Sequence, residues 1–190
     1  MLKETVQQRT LHLLADILEY PQSNPAEKAQ ECADLIAASN PDAAARLRQF
    51  QAFADGTPSG RLEEIFTTTF DLDAACHPYV GYHLFGESYK RSTFLLELKE
   101  RFRGCGFKFS DSELPDRVSV LLRFVSVTGD EEERQEIINE GLLPALNKMV
   151  KEAEEGDEEP HHDGDAYRNV LQALRMVLQD MSTRREESTA

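Results

Sequence analysis

Cysteine is scarce in this chain. The three present, Cys32, Cys76 and Cys105, are odd in number and form no Cys-x-x-Cys pair. That excludes the disulfide framework of a small secreted protein. A chain of 190 residues does not need one, since a domain of this size buries roughly 70% of its unfolded surface. Long apolar runs are also missing. None approaches the roughly 18 residues needed to span a bilayer, and Met1 to Tyr20 carries acidic residues in place of a signal-peptide core. The chain is therefore expected in the cytoplasm, without direct membrane insertion. Basic residues are few, 21 against 35 acidic, for a net charge of −14. A surface of that sign does not suit phosphate backbones, so nucleic acid is not an expected partner. Strand-like alternation is absent as well. So are the glycine loops that cradle nucleotides and the Gly-x-Ser-x-Gly of an acyl-transfer nucleophile. No catalytic residue is assigned and no enzyme activity is expected.

What is present is helical periodicity. Leu11, Leu14 and Leu18 share one face, with Leu13 and Ile17 beside them. Tyr20-Pro21 ends that segment, because proline disfavours helical geometry at the residue before it. Asn24-Pro25-Ala26-Glu27 and Asn40-Pro41 read as helix starts, with asparagine as cap and proline at the first position. Gly56 to Gly60 reads as a turn, and Leu62, Ile65, Phe66 and Phe70 form the next stripe. A further helix resumes near Glu87 and stops at Gly104 and Gly106. Another is entered at Pro115, and Asp130 with Glu133 fits a capping box. There Gly141 is expected to break a helix and Pro144 to restart it. These elements predict an all-α protein, a single compact bundle of about eight or nine helices. Residues 1–153 form its helical core and 154–165 an acidic linker. Residues 166–183 form a last helix of the same domain, and 184–190 a frayed tail.

Candidate metal ligands are thin. Cys76, His77 and His83 are neighbours in sequence, but a structural zinc site wants four ligands in paired spacings. His161 and His162 fall in the acidic linker. No metal or cofactor is expected. One window stands apart, Pro78 to Arg91. Tyr79, Tyr82 and Phe85 offer aromatic surface of the kind that anchors peptides. Glu87 sits at a helix start, where a carboxylate is favoured and can face a cation. Arg91 lies one turn on and can pair with it. The spacing leaves two readings open: a peptide site, or core aromatics beside an ordinary surface pair.

A resemblance adds to this. Leu18-Glu19-Tyr20-Pro21, Ile65-Phe66 through Thr69-Phe70-Asp71, Tyr82-His83-Leu84-Phe85-Gly86-Glu87-Ser88 with Arg91, Gly106-Phe107 and Glu113-Leu114-Pro115-Asp116 occur in this order. Over roughly Leu11 to Val127 the chain resembles the NarJ-type delta-subunit chaperones of respiratory nitrate reductase, within the redox-enzyme maturation proteins that include the TorD and DmsD types. It departs at Tyr89, where a basic residue is common, and at Ser92, where glycine is. The resemblance implies a non-enzymatic, all-helical chaperone. Its partner would be the molybdenum-containing catalytic subunit of a nitrate reductase-type enzyme, held by its N-terminal, twin-arginine-type segment until the molybdenum cofactor is inserted. It maps the binding region onto Tyr82, His83, Gly86, Glu87 and Arg91, with Pro115 and Asp116 nearby; Tyr79 and Phe85 join from the aromatic reading. A monomer or weak dimer is expected. The alternative is a stable structural subunit of a cytoplasmic redox complex.

Overall fold

Thr5 opens the first helix with a reciprocal cap. Its hydroxyl accepts from the Gln8 N–H, and the Gln8 side chain accepts from the Thr5 N–H. The computed structural model describes residues 4–155 and 165–189. Among these, ten α-helices run in chain order: α1 (Val6–Ile17), α2 (Ala26–Ile36), α3 (Pro41–Asp55), α4 (Ser59–Thr67), α5 (Val80–Phe85), α6 (Tyr89–Gly104), α7 (Val118–Val127), α8 (Glu131–Glu136), α9 (Leu143–Glu155) and α10 (Asp165–Thr189). A π-helical turn, Thr68–Leu72, continues α4, and a second, Ile137–Leu142, joins α8 to α9. No strand occurs among the described residues. The all-α class expected from periodicity is the class found, and α8 and α9 form one rod through their π turn.

Helix α1 packs on α2 and α7, α2 on α3, α3 on α10, and α10 on α9; α5 bridges α9 and α6. Two aromatic clusters anchor this order. Tyr167 of α10 meets Phe50, Phe66 and Phe70 at ring-centroid distances of 5.1 to 5.6 Å. Phe102 meets Phe107, Phe109 and Phe124 at 4.6 to 5.5 Å. Each buried ring of this kind contributes on the order of 2 kcal/mol from apolar area.

Several expected boundaries move. Asn24 Oδ1 accepts the Ala26 N–H, but the cap position of α2 is Pro25, which stays outside the helix and offers no side-chain cap. Asn40 and Pro41 behave as expected. Asp130 caps α8, but Glu133 does not reach back to it; Thr128 Oγ1 accepts the Asp130 N–H and donates to Glu133. Gly141 breaks nothing. The π turn already displaces the i→i−4 ladder there, so Pro144 is accommodated inside a continuous rod. α7 starts at Val118, because Pro115 and Asp116 form a turn and Arg117, extended, pairs with Tyr79 in an isolated antiparallel bridge. Helix α10 reaches Thr189, past the frayed tail expected from residue 184. Arg184 to Glu187 are good helix formers and no glycine or proline stops them. Glu154, Glu155 and Asp165 are helical, whereas the rest of the acidic linker, with His161 and His162, lies outside the described residues. No described helix is long and apolar enough to cross a membrane.

Candidate functional site

The Pro78–Arg91 window is fastened to residues 113–118 by a short backbone ladder. Val80 N–H donates to Asp116 O at 2.8 Å, and Val118 N–H donates to Pro78 O at 2.8 Å. The Asp116 side chain closes the same junction. Its Oδ2 accepts from Gly81 N–H at 3.1 Å and from Arg91 Nη2 at 3.5 Å. Asp116 is fully buried while Arg91 keeps 20% exposure. Burial pushes the Asp116 carboxyl above the ordinary carboxylate range; the Arg91 charge and the Gly81 N–H pull the other way. Gly81 is required by contact. A Cβ there would lie 2.8 Å from Asp116 Oδ2, 3.1 Å from Phe94 Cδ1 and 3.2 Å from Arg91 Cγ.

Arg91 therefore pairs with Asp116 and not with Glu87, correcting the expected one-turn pair. Helix α6 begins at Tyr89, so Glu87 precedes it on an exposed approach and forms no ion pair among the described residues. The Arg91 guanidinium also lies over the Tyr79 ring, 5.7 Å from its centroid. Tyr79 Oη donates to Glu113, which accepts from Arg117 as well. Burial raises the Tyr79 phenol, with the Glu113 charge adding to it.

The three aromatics of the window have different neighbours. Tyr79 joins the Asp116 junction. Tyr82 stands edge-on to His77 and His83, at 5.0 and 5.4 Å. Phe85 packs on Phe94 of α6 at 5.5 Å. His83 is buried, and its Nε2–H donates to His77 O at 2.7 Å; its own carbonyl accepts from Lys148 Nζ at 2.6 Å. Those contacts tie α5 to α9. Gly86, between α5 and α6, has φ 60° and ψ −155°, a conformation open to glycine almost alone.

Leu84 and Phe85 are the window residues that line a groove. This groove, about 210 Å³, runs between α5, α6 and the Ile137–Leu142 turn. Leu84, Phe85, Phe94, Leu98, Leu121 and Ile137 form its apolar surface, and Glu97, Glu136 and Glu140 its acidic rim. Arg101 crosses it to Glu136 at 2.6 Å. Three carboxylates against one guanidinium leave the rim negative. Sequence reasoning missed these groove residues. The Glu97/Arg101 and Glu136/Glu140 spacings are common on any solvated helix, and only the fold brings the two pairs to one opening. A larger cleft of about 480 Å³ lies elsewhere, where Thr10, Ile36, Asn40, Gln135 and Val177 meet; it contains none of the expected site residues.

No family model matches this chain. A Bacillus subtilis (strain 168) protein named as a nitrate reductase molybdenum cofactor assembly chaperone, NarJ, is 27% identical over 138 residues. The match covers 73% of this chain and 70% of that protein. A crystal structure of a candidate redox enzyme maturation protein from Archaeoglobus fulgidus superposes with a TM-score of 0.59 at 21% identity, covering 90% of this chain and 93% of that one. The sequence match is a likeness to a NarJ-type chaperone, and the superposition shows a shared all-helical fold. The segments that carry the resemblance divide into two parts of the structure. The Pro115-Asp116 step and Arg91 form the buried junction, and Phe85 faces the groove.

Proposed function

We propose that this chain is a molybdenum cofactor assembly chaperone that binds the N-terminal segment of the catalytic subunit of a nitrate reductase-type molybdoenzyme. It acts in the cytoplasm, before membrane docking or export, and holds that subunit competent for cofactor insertion. The names of its relatives indicate a cofactor assembly chaperone or redox enzyme maturation protein. The observation that carries the binding reading is the apolar groove with a net-negative rim beside α6. A twin-arginine-type leader, or its vestige, is a basic stretch followed by an apolar helix-former. The carboxylates of Glu97 and Glu140 suit the basic part, and the Phe85–Phe94 wall suits the apolar part. Glu87, exposed on the approach to α6, adds a further cation contact. Gly86 sets that approach, while Tyr79, Arg91, Pro115 and Asp116 hold α5 and α6 at the spacing the groove needs. Tyr82 and His83 fix α5 to its neighbours.

Isothermal titration of a synthetic client N-terminal peptide tests this reading. Phe85→Ala and the Glu97→Gln/Glu140→Gln pair are each expected to weaken binding about tenfold. Glu87→Gln should weaken it less, because the pair it makes stays in water. Affinity unchanged in all three proteins, with helicity intact by circular dichroism, would remove the groove from the mechanism.

A further inference from the structure

The flank of α6 turned away from the acidic groove carries the opposite charge. At about 100° per residue, Lys99 and Arg103 project well away from Phe94, Glu97, Leu98 and Arg101, while Phe102, one turn after Leu98, stays on the buried face between the two flanks. With the loop after α6 they line a second groove of about 430 Å³. Its floor is Phe102, 2% exposed, with Phe107 and Phe109 half-buried and edge-on to it. Its rim is Lys99, Arg103 and Lys108, faced by Asp111 and Glu113. Glu113 is already engaged by Arg117 and Tyr79. Asp111 is then the acid left to set against three cations.

This concentration is unusual for the molecule. Arg9, Arg48, Arg61, Arg101, Arg123 and Arg134 each meet a carboxylate. Lys99, Arg103 and Lys108 form no ion pair among the described residues, in a chain of net charge −14. Leu96, 64% exposed, projects from the same side of α6 as Arg103 and extends the apolar surface outward.

We propose that this groove docks a short acidic segment of a partner polypeptide, with an aromatic or aliphatic side chain set against the Phe107–Phe109 wall. Charge complementarity selects an anionic occupant, and the phenylalanines give it an apolar anchor. The whole-molecule charge selects a short one. An extended polyanion or an anionic membrane would meet the repulsion of the rest of the surface, and Asp111 limits the run of acidic residues the rim can accept. This surface goes beyond the leader-binding reading and does not depend on it.

The test is fluorescence anisotropy with a labelled peptide of glutamates flanking a phenylalanine, against the same peptide with glutamines. The acidic peptide is expected to bind the full chain, more weakly as salt is raised. Arg103→Glu/Lys108→Glu should weaken it about tenfold, and Lys90→Glu, elsewhere on α6, should leave it unchanged. The double variant should bind the basic client peptide no more weakly than the parent, which separates failure here from failure of the leader site. Equal binding of the glutamine peptide would overturn the proposal, as would insensitivity to the charge reversal. Tripolyphosphate or phosphatidylserine vesicles binding where the peptide does not would overturn it in favour of a small anion or a lipid surface.

Discussion

Asp116 and Gly81 show how two small groups fix the geometry of the candidate site. The carboxylate is buried and holds a backbone N–H from α5 and a guanidinium from α6. The glycine lets that carboxylate approach. Gly81→Ala places a methyl against three neighbours at once and should cost about 2 kcal/mol in urea unfolding, as an overpacked site with little room to relax. Asp116 makes a pH prediction. Its carboxyl is raised in the folded state, so the folded protein holds that proton more tightly than the unfolded chain does. Its contribution is then fully present below the ordinary carboxylate value of 3.8 and is lost as pH rises through the raised folded value. In paired unfolding titrations, the stability of the parent relative to Asp116→Asn should therefore increase as the solution is acidified through that window. A difference that stays flat with pH would mean that Asp116 is not the titrating group.

At the scale of elements, α6 carries a groove along each of its flanks. It is held at its ends and by few fully buried residues, Leu98 and Phe102. Its C-terminus is locked by a pair of bonds, Phe107 N–H to Phe102 O and Gly106 N–H to Arg103 O, with Gly106 at φ 68° and the two phenylalanine rings in contact. Its N-terminus is set by Gly86. A Cβ at Gly86 meets nothing within 4 Å, so the penalty for Gly86→Ala is purely conformational, about 1–3 kcal/mol. The variant should lower the unfolding midpoint by that amount. It should also weaken client-peptide binding in the calorimeter, because relieving the strain reorients the approach that carries Glu87. Lost stability with unchanged peptide affinity would show that the α5–α6 connection does not govern the groove. The C-terminal end of α6 was legible in the sequence as glycines after a periodic run, and the start near Glu87 as the return of that periodicity, but α5 itself fell in a stretch without a helical pattern. The π turn at Ile137–Leu142 was not legible either. Gly141 and Pro144 signal a break, whereas in the fold the turn packs on α5, α7 and α10 and the rod runs on through it.

For the molecule as a whole, the helical class followed from apolar residues recurring at three and four positions, from Leu11 through Leu178; most are buried, with Ala37, Phe94 and Leu95 partly buried and Leu114 exposed. Pro78–Arg91 stood out by its composition, since nothing else in the chain mixes aromatics, glycines and charges so densely, and the structure fastens it to residues 113–118. The roles inside that window did not follow. Arg91 was one turn from Glu87 and found Asp116, 25 residues away, because a buried carboxylate needs a counter-charge more than an exposed one does. Tyr79, Tyr82 and Phe85 alternate closely in sequence, and a single turn of helix with an extended entry sends them to three different neighbours.

Local chemistry thus determined the elements of this protein. Caps such as Asn40 and Asp130, the glycines that end α5 and α6, and the apolar stripes are short-range signals, set by backbone hydrogen bonding and by the need to bury one helix face. Tertiary structure alone decided the surfaces. The acidic groove combines Glu97 of α6 with Glu136 and Glu140 of the α8–α9 rod. The basic groove joins α6 to the loop that follows it, once Arg117 and Tyr79 have taken up Glu113. Charge on a helix face reads as ordinary solvation until packing shows what lies beside it, which is why the two flanks of α6 acquire opposite sign only in the folded chain.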